Sequence, residues 1–256
     1  METYNKNGLV LAETAETVTI ATGLDSSSAN AKTGGMIQVW ILRRDMSPLD
    51  ASKSGKDDAI CGDCPHRGVM VDGKLTARRC YVNLGQGPRS IYVAYTRGRY
   101  RHVDASEYAE LFGGRLVRFG AYGDPAMMPR EVVEGIARVA HGWTGYTHQW
   151  RSESAQWLNA YCMASCDSVE DVERARADGW RTFRVARKGD SAKLAREISC
   201  PASAEAGKRT TCDKCRLCDG ARAGDARASI VIQDHSVIAS NRPLGVSSAQ
   251  LINIAF

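Results

Sequence analysis

The chain has 256 residues, of which 43% are hydrophobic and 25% are charged. These fractions are ordinary for a folded globular protein and exclude disordered, fibrous and coiled-coil classes. The length allows two small domains or one large one, such as a barrel of about 200–250 residues. The net charge is only +5, but the chain contains nine cysteines. Because an odd number with several two-residue gaps is a poor plan for disulfides, cysteine chemistry is the first clue to function.

The N-terminal sequence has neither the basic region nor the apolar core of a secretory signal. No later stretch approaches the roughly 18 consecutive apolar residues that a membrane span needs. We therefore expect a cytoplasmic protein without a membrane partner. In such a reducing compartment, clustered thiols bind metals or take part in redox chemistry.

Positive charge is concentrated between residues 181 and 230, where twelve Lys and Arg face six acidic residues. The local net charge of this stretch exceeds that of the whole chain. A basic face of this kind is suited to the phosphates of nucleic acid, although a solvated surface would give the same pattern.

Short apolar runs predict eight strands, separated by loops and helical patterns. The predicted strands are 36–42, 90–95, 115–122, 145–149, 160–165, 182–186, 197–199 and 229–233. Helices are predicted over 105–112, 129–140 and 168–177, the last two from a Pro near the start and a Ser-x-x-Asp capping signal.

This alternation of strands and helices favours parallel strands, and hence an α/β fold that is a complete or partial (β/α) TIM-like barrel. We expect the barrel over 30–235, with an N-terminal extension at 1–29 and a C-terminal extension at 236–256. Chemistry in such barrels lies at the carboxyl ends of the strands. Polar residues follow predicted strands at Asp124, at His148, at 165–167 and at Cys200.

Four cysteines near the end of the chain form the stronger of two metal-binding patterns. Cys200 is followed by the C-x2-C-x2-C run of Cys212, Cys215 and Cys218. Three thiolates within one compact turn and a fourth that returns are typical of a [4Fe-4S] cluster. A structural zinc site with four thiolates is the alternative, although zinc ligands more often come as separated pairs.

Three further cysteines follow the first predicted strand, at Cys61, Cys64 and Cys80, with His66 nearby. With His66 they match a closed zinc site of three cysteines and one histidine. Without it, three cysteines would hold a [4Fe-4S] cluster with one iron open to a small molecule. That is the chemistry of the radical S-adenosylmethionine enzymes, whose cluster loop also follows the first strand of a (β/α) barrel. Their usual spacing is C-x3-C-x2-C, whereas this chain has C-x2-C-x15-C.

Several segments together resemble a phage-encoded, cysteine-rich family related to the radical S-adenosylmethionine enzymes. They are the stretch 30–34, the C-x2-C-P loop with Cys80-Tyr81, Gly123-Asp124, Tyr146-Thr147-His148, and Cys200-Pro201-Ala202 with the closing cysteines. The resemblance spans roughly residues 30 to 235. It implies a barrel of the radical enzyme type and a phage origin, hence the cytoplasm of a host cell. It does not by itself assign an activity.

These observations lead to a set of expected roles. Cys61, Cys64 and Cys80 would hold a cluster that binds S-adenosylmethionine, and the four later cysteines would hold an auxiliary cluster. Gly123, Asp124 and Ser165 are predicted to contact the cofactor, with an Asp-Pro turn as the alternative role for Asp124. His148 is a candidate acid, base or substrate ligand, and Cys166 a candidate hydrogen-atom donor. Either could instead be an ordinary core residue.

The expected function is therefore an iron–sulfur enzyme that modifies or rearranges a hypermodified nucleobase in DNA, supplied with electrons by an external donor. Phage enzymes of this chemistry act in the hypermodification of thymine in viral DNA. The alternative is a zinc-stabilised protein that binds nucleic acid, for example in replication, without catalysis.

Overall fold

The computed structural model describes residues 4–26, 30–76, 78–187 and 192–234, and the extension predicted at 236–256 lies outside them. Within these residues the chain forms thirteen strands and seven α-helices. The strands are β1 (Gly8–Glu13), β2 (Thr17–Thr22), β3 (Ile37–Arg43), β4 (Val69–Val71), β5 (Lys74–Thr76), β6 (Arg101–His102), β7 (Leu116–Tyr122), β8 (Gly142–Thr144), β9 (Tyr146–Thr147), β10 (Met163–Cys166), β11 (Thr182–Ala186), β12 (Glu197–Ser199) and β13 (Ser229–Gln233).

The α-helices are short, and four 3₁₀ segments supplement them. The helices are α1 (Pro48–Lys53), α2 (Asp58–Cys61), α3 (Gly87–Thr96), α4 (Tyr108–Phe112), α5 (Arg130–Val139), α6 (Val169–Ala177) and α7 (Cys212–Cys215). The 3₁₀ segments are Ala105–Glu107, Pro125–Met127, Gln149–Arg151 and Glu153–Ala160.

Two sheets carry the fold, and they meet at Gly145. The first has the order β6-β1-β2-β3-β7-β8, and the second has the order β12-β13-β11-β10-β9. Since only Gly145 separates β8 from β9, the two sheets form one continuous series. Every pair from β3 through β7, β8/β9, β10, β11 and β13 to β12 is parallel. Their carboxyl ends therefore share one edge of the molecule.

The predicted α/β class agrees with this mixed architecture, in which α5 and α6 connect parallel neighbours as βαβ units. Among the described residues, no strand pairing closes the series into a barrel. The TIM-like barrel therefore stays a prediction.

Most of the predicted strands and all three predicted helices are present, but the strand predicted at 90–95 is wrong. That segment lies inside α3, which begins at Gly87 with Pro88 in its first turn and buries Ile91. Its β-branched and aromatic residues suggested a strand, whereas Pro88 is a helix-start signal. The segment predicted as an N-terminal extension contributes β1 and β2, which pair with each other, and β2 also pairs with β3.

Different parts of the chain pack against the two faces of the parallel strands. Val117, Phe119 and Cys166 belong to the main core, which also includes the apolar sides of α5 and α6. On the other face, Met163 and Ile230 pack with the loop of the late cysteines. We call this second surface the inner face. Because side chains alternate between the two faces of a strand, every second residue points to the inner face.

Candidate metal centres

The loop that carries Cys61 and Cys64 lies at the carboxyl ends of the parallel strands. α2 ends at Cys61, and the carbonyl of Ile60 accepts a hydrogen bond of 2.7 Å from the backbone N–H of Asp124, just after β7. The side chain of Gln149, just after β9, donates to the Cys61 carbonyl at 3.3 Å. These contacts fix the loop on the edge at which chemistry is expected in α/β folds.

Cys80 joins this loop despite the long interval that separates it from Cys64. The backbone N–H groups of Arg79 and Cys80 both donate to the His66 carbonyl, at 3.0 and 2.9 Å. The residues between include the β4–β5 hairpin, which leads out and back. Burial, followed by the charges of Cys64, Asp57 and Cys80, raises the pKa of the Cys61 thiol. The three cysteines are thus neighbours whose negative charges repel one another unless a cation lies among them.

Two histidines and Asp167 lie beside these cysteines. His66 Nε2 is 2.8 Å from Asp167 Oδ1, and His148 Nε2 is 3.3 Å from Asp167 Oδ2. Burial opposes the charged form of His148, but Cys64 and Asp167 together raise its pKa above the usual value. The two imidazoles in turn hold the pKa of Asp167 low despite its burial. His148 therefore lies at the predicted end of the strands, in contact with charged groups and not among apolar side chains alone.

Asp124 is committed to hydrogen bonds within the protein. Its carboxylate accepts from the Ala126 N–H at 3.0 Å, from the Thr147 hydroxyl at 2.7 Å and from the His148 N–H at 2.8 Å. The first bond caps the 3₁₀ turn that begins at Pro125, which is the alternative role considered for this residue. The other two bonds connect the end of β7 to the end of β9. Contact between Asp124 and a cofactor stays a prediction.

Gly123 makes room for protein atoms, not for the cofactor predicted there. Its φ is +86°, and a Cβ at this position would lie 2.7 Å from the Ile41 Cβ and 3.0 Å from the Ile60 carbonyl oxygen. The glycine therefore lets the Cys61 loop pack closely over β3 and β7.

Gly123→Ala is expected to lower the free energy of unfolding by about 3 kcal/mol, because it combines a left-handed backbone with a clash. For a chain of this size that corresponds to a fall in Tm of about 6–12 °C, measurable by calorimetry. Gly73→Ala is the matched control, since Gly73 also has a positive φ but no atom within 4 Å of the added Cβ. Equal losses in the two variants would contradict the close packing.

Ser165 and Cys166 point to opposite faces of β10. Ser165 is on the inner face with Met163, where we predicted contact with the cofactor, and it is largely buried. Cys166 is completely buried in the main core, which includes α6, and its Sγ lies 3.5 Å from the Ala164 carbonyl. Burial raises the pKa of this thiol well above its usual value. This placement is that of a core side chain, and it does not support the predicted catalytic role of Cys166.

The loop of the four late cysteines contacts the amino ends of the strands. The Cys212 N–H donates to the Lys32 carbonyl before β3, and the Gly145 N–H before β9 donates to the Cys218 carbonyl. Arg181, just before β11, donates to the carbonyls of Leu217 and Gly220. Cys200 itself directly follows the carboxyl end of β12, as expected, and its backbone N–H donates to the Val231 carbonyl. The segment with Cys212 and Cys218 lies toward the other end of the parallel strands.

The four late cysteines are close enough for the charge of one thiolate to affect the pKa of another. Burial raises the pKa of Cys218, to about 12, and the charges of Cys200, Cys212 and Cys215 contribute in the same direction. The charge of Cys200 also raises the pKa values of Cys212 and Cys215, after burial as the larger cause. All nine cysteines of the chain are free thiols, so no disulfide competes for these sulfur atoms.

Arg118 places a positive charge beside Cys212, one of these four thiols. Burial lowers the pKa of its guanidinium, but the charges of Tyr81, Tyr146 and Cys212 raise it further than burial lowers it. Arg118 Nε is buried without a hydrogen-bond partner, and the described residues include no ion pair between Arg118 and a carboxylate. The charge of this partly buried guanidinium would be compensated by ionisation of the nearby Cys212 thiol. Arg118 was not among the residues predicted from the sequence, although a charge inside a predicted buried strand was a usable signal.

Much of the basic stretch 181–230 is neutralised within the fold. Arg184 pairs with Glu197 at 2.8 Å, with both side chains almost fully buried. Arg181 and Arg227 pair with Asp219 and Asp225. The charge excess is real, but these arginines hold strands and loops together and are not an open surface for phosphates.

Comparisons with known proteins give no family assignment. No family model, curated protein or solved structure matches this chain. In the part of the chain that the structure describes, no helix combines the length and apolar character needed to cross a bilayer.

Proposed function

We propose that this protein is an iron–sulfur enzyme of the radical S-adenosylmethionine kind. The observation that supports the proposal is that the segments of Cys61, Cys64 and Cys80 are joined by backbone hydrogen bonds beside the carboxyl ends of the parallel strands. A three-cysteine set leaves one iron of a [4Fe-4S] cluster without a protein ligand. This is the arrangement that a cluster needs in order to bind a small molecule.

The chemistry of both donor sets fits iron–sulfur clusters. Thiolates are the ligands of such clusters, and ligands to different irons need not lie as close together as ligands to one ion. The four late cysteines supply a complete ligand set for a second, auxiliary cluster. Arg118 beside Cys212 would offset the negative charge of that thiolate set.

When bound and reduced by an external electron donor, the open cluster supplies reductive cleavage of S-adenosylmethionine and a radical that removes a hydrogen atom from the substrate. The protein's own residues would bind and orient the cofactor and the substrate. Ser165 belongs to the inner face of β10, and His148 lies at the carboxyl end of β9, next to Cys64. Asp124 would hold the ends of β7 and β9 in register, because its carboxylate joins them.

We propose a modified nucleobase in DNA as the substrate, within the cytoplasm of a phage-infected host. The support for this substrate is the family resemblance and the local excess of positive charge. The internal ion pairs of Arg181, Arg184 and Arg227 leave less of that charge for DNA than the sequence suggested.

Anaerobic purification followed by metal analysis and visible spectroscopy tests the proposal. We expect a brown protein with broad visible absorption and several irons and sulfides per chain. A colourless protein that contains only zinc after reconstitution with iron and sulfide would overturn it.

That second outcome would favour a zinc-stabilised protein that binds nucleic acid without catalysis. The observation in its favour is that the His66 carbonyl binds the Cys80 N–H, which brings the His66 and Cys80 backbones together. In this site the His66 imidazole would leave its hydrogen bond to Asp167 and bind zinc instead. Three cysteines and one histidine form a closed zinc site, which has no open position for a substrate.

A further inference from the structure

His66, His148 and Asp167 direct their polar atoms at one another near the carboxyl ends of β9 and β10. One ligand atom from each residue lies within 4.8 Å of those of the other two. The side chains are 14%, 15% and 3% exposed, respectively. The three residues come from distant parts of the chain, so the fold itself brings them together.

The spacing of these atoms fits coordination to a single ion. With metal–ligand bonds of about 2.0–2.2 Å, neighbouring ligand atoms in octahedral or tetrahedral geometry are about 2.8–3.6 Å apart. His66 Nε2 lies 2.8 Å from Asp167 Oδ1, and His148 Nε2 lies 3.3 Å from Asp167 Oδ2. Both distances fall within this range, and because each imidazole faces a different oxygen, the carboxylate would bind the ion through both.

Hydrogen bonding accounts for only one of these two contacts. His66 Nε2 and Asp167 Oδ1 form a hydrogen bond. His148 Nε2 is buried, and its 3.3 Å contact with Asp167 Oδ2 is an ion-pair contact without hydrogen-bond geometry. A buried nitrogen without a hydrogen bond is costly, and its lone pair can bind either a proton, which forms the ion pair with Asp167, or a metal ion.

The geometry points to a mononuclear site in which His66, His148 and Asp167 bind one divalent first-row transition metal ion. Two imidazoles and one carboxylate suit zinc or ferrous iron and leave further coordination positions for water or a substrate oxygen. The site differs from both cysteine sets because its ligands are nitrogen and oxygen. It does not depend on the proposed radical chemistry, since it requires no cluster.

Zinc K-edge absorption of the full-length protein tests this site after anaerobic reconstitution of the cysteine sites with iron and sulfide. Wild type with one added equivalent of Zn²⁺ is compared with Asp167→Asn and with His148→Gln. The matched control is His141→Gln, which changes an exposed histidine elsewhere. The zinc present in wild type but absent from the variants should have nitrogen and oxygen neighbours at about 2.0–2.2 Å.

We expect each variant to weaken zinc binding at least about 100-fold, while His141→Gln binds zinc like wild type. Because the wild-type spectrum itself reports the ligands, the result stands even if one variant folds poorly. Zinc with only sulfur neighbours at about 2.3 Å, or equal binding by wild type and Asp167→Asn, would overturn the proposal. Failure of the radical chemistry would appear separately, as an absence of iron and sulfide, and would leave the nitrogen and oxygen shell in place.

Discussion

Cys64→Ala is expected to abolish the release of 5′-deoxyadenosine from S-adenosylmethionine under reducing conditions, with a loss of at least about 1000-fold relative to wild type. The reason is that a set of only three cysteines has no spare ligand, and Cys64 is close enough to Cys61 and to the His148 imidazole to raise the pKa of both. Chromatography of reactions with dithionite measures the released nucleoside directly.

Cys166→Ala is the matched control for that experiment. Its thiol is fully buried in the main core, away from the inner face, so the variant should release 5′-deoxyadenosine at close to the wild-type rate. If both variants released it equally well, Cys64 would have no part in binding the cluster. A loss in Cys166→Ala at unchanged Tm would instead restore the catalytic role that its buried position does not support.

The convergence of Cys80 with Cys64 was hidden in the sequence by the long interval between them. The number of residues between two cysteines does not give their distance in space. Here Asp72 and Gly73, both with positive φ, form the turn of a hairpin within the interval. Asp-Gly between apolar residues is a strong signal for such a turn. This signal in the sequence predicts that the chain turns back and brings Cys80 towards the loop.

Other parts of the candidate sites depended on information that a linear pattern does not contain. Asp167 follows a predicted strand, but its approach to His66 depends on how two loops meet above the sheet. Cys200 follows β12, as expected. The loop after it then returns to the amino ends of the strands, where the Cys212 N–H bonds to Lys32 and the Cys218 carbonyl to Gly145. The sequence pattern does not show this return.

The separation of the two cysteine sets makes a second large effect testable. Cys215→Ala should remove the metal held by the late cysteines and leave the iron–sulfur signal of the Cys61, Cys64 and Cys80 set intact. Metal analysis and electron paramagnetic resonance of the reduced protein measure these two results. Lys214→Ala is the matched control, because Lys214 is an exposed residue of the same short helix α7.

The loss of this metal in Cys215→Ala should also lower the free energy of unfolding. The loop from Cys200 to Cys218 covers Met163 and Ile230 on the inner face and contains little regular structure apart from α7. With a metal bound as proposed, the order of this loop would depend on the metal–thiolate bonds, whose apparent free energy is about 10–16 kcal/mol in small zinc domains. We expect Cys215→Ala to lose about 4 kcal/mol of unfolding free energy, a fall in Tm of about 8–16 °C. Unchanged metal content and Tm in Cys215→Ala would mean that these thiols hold no metal, and that apolar packing alone orders the loop.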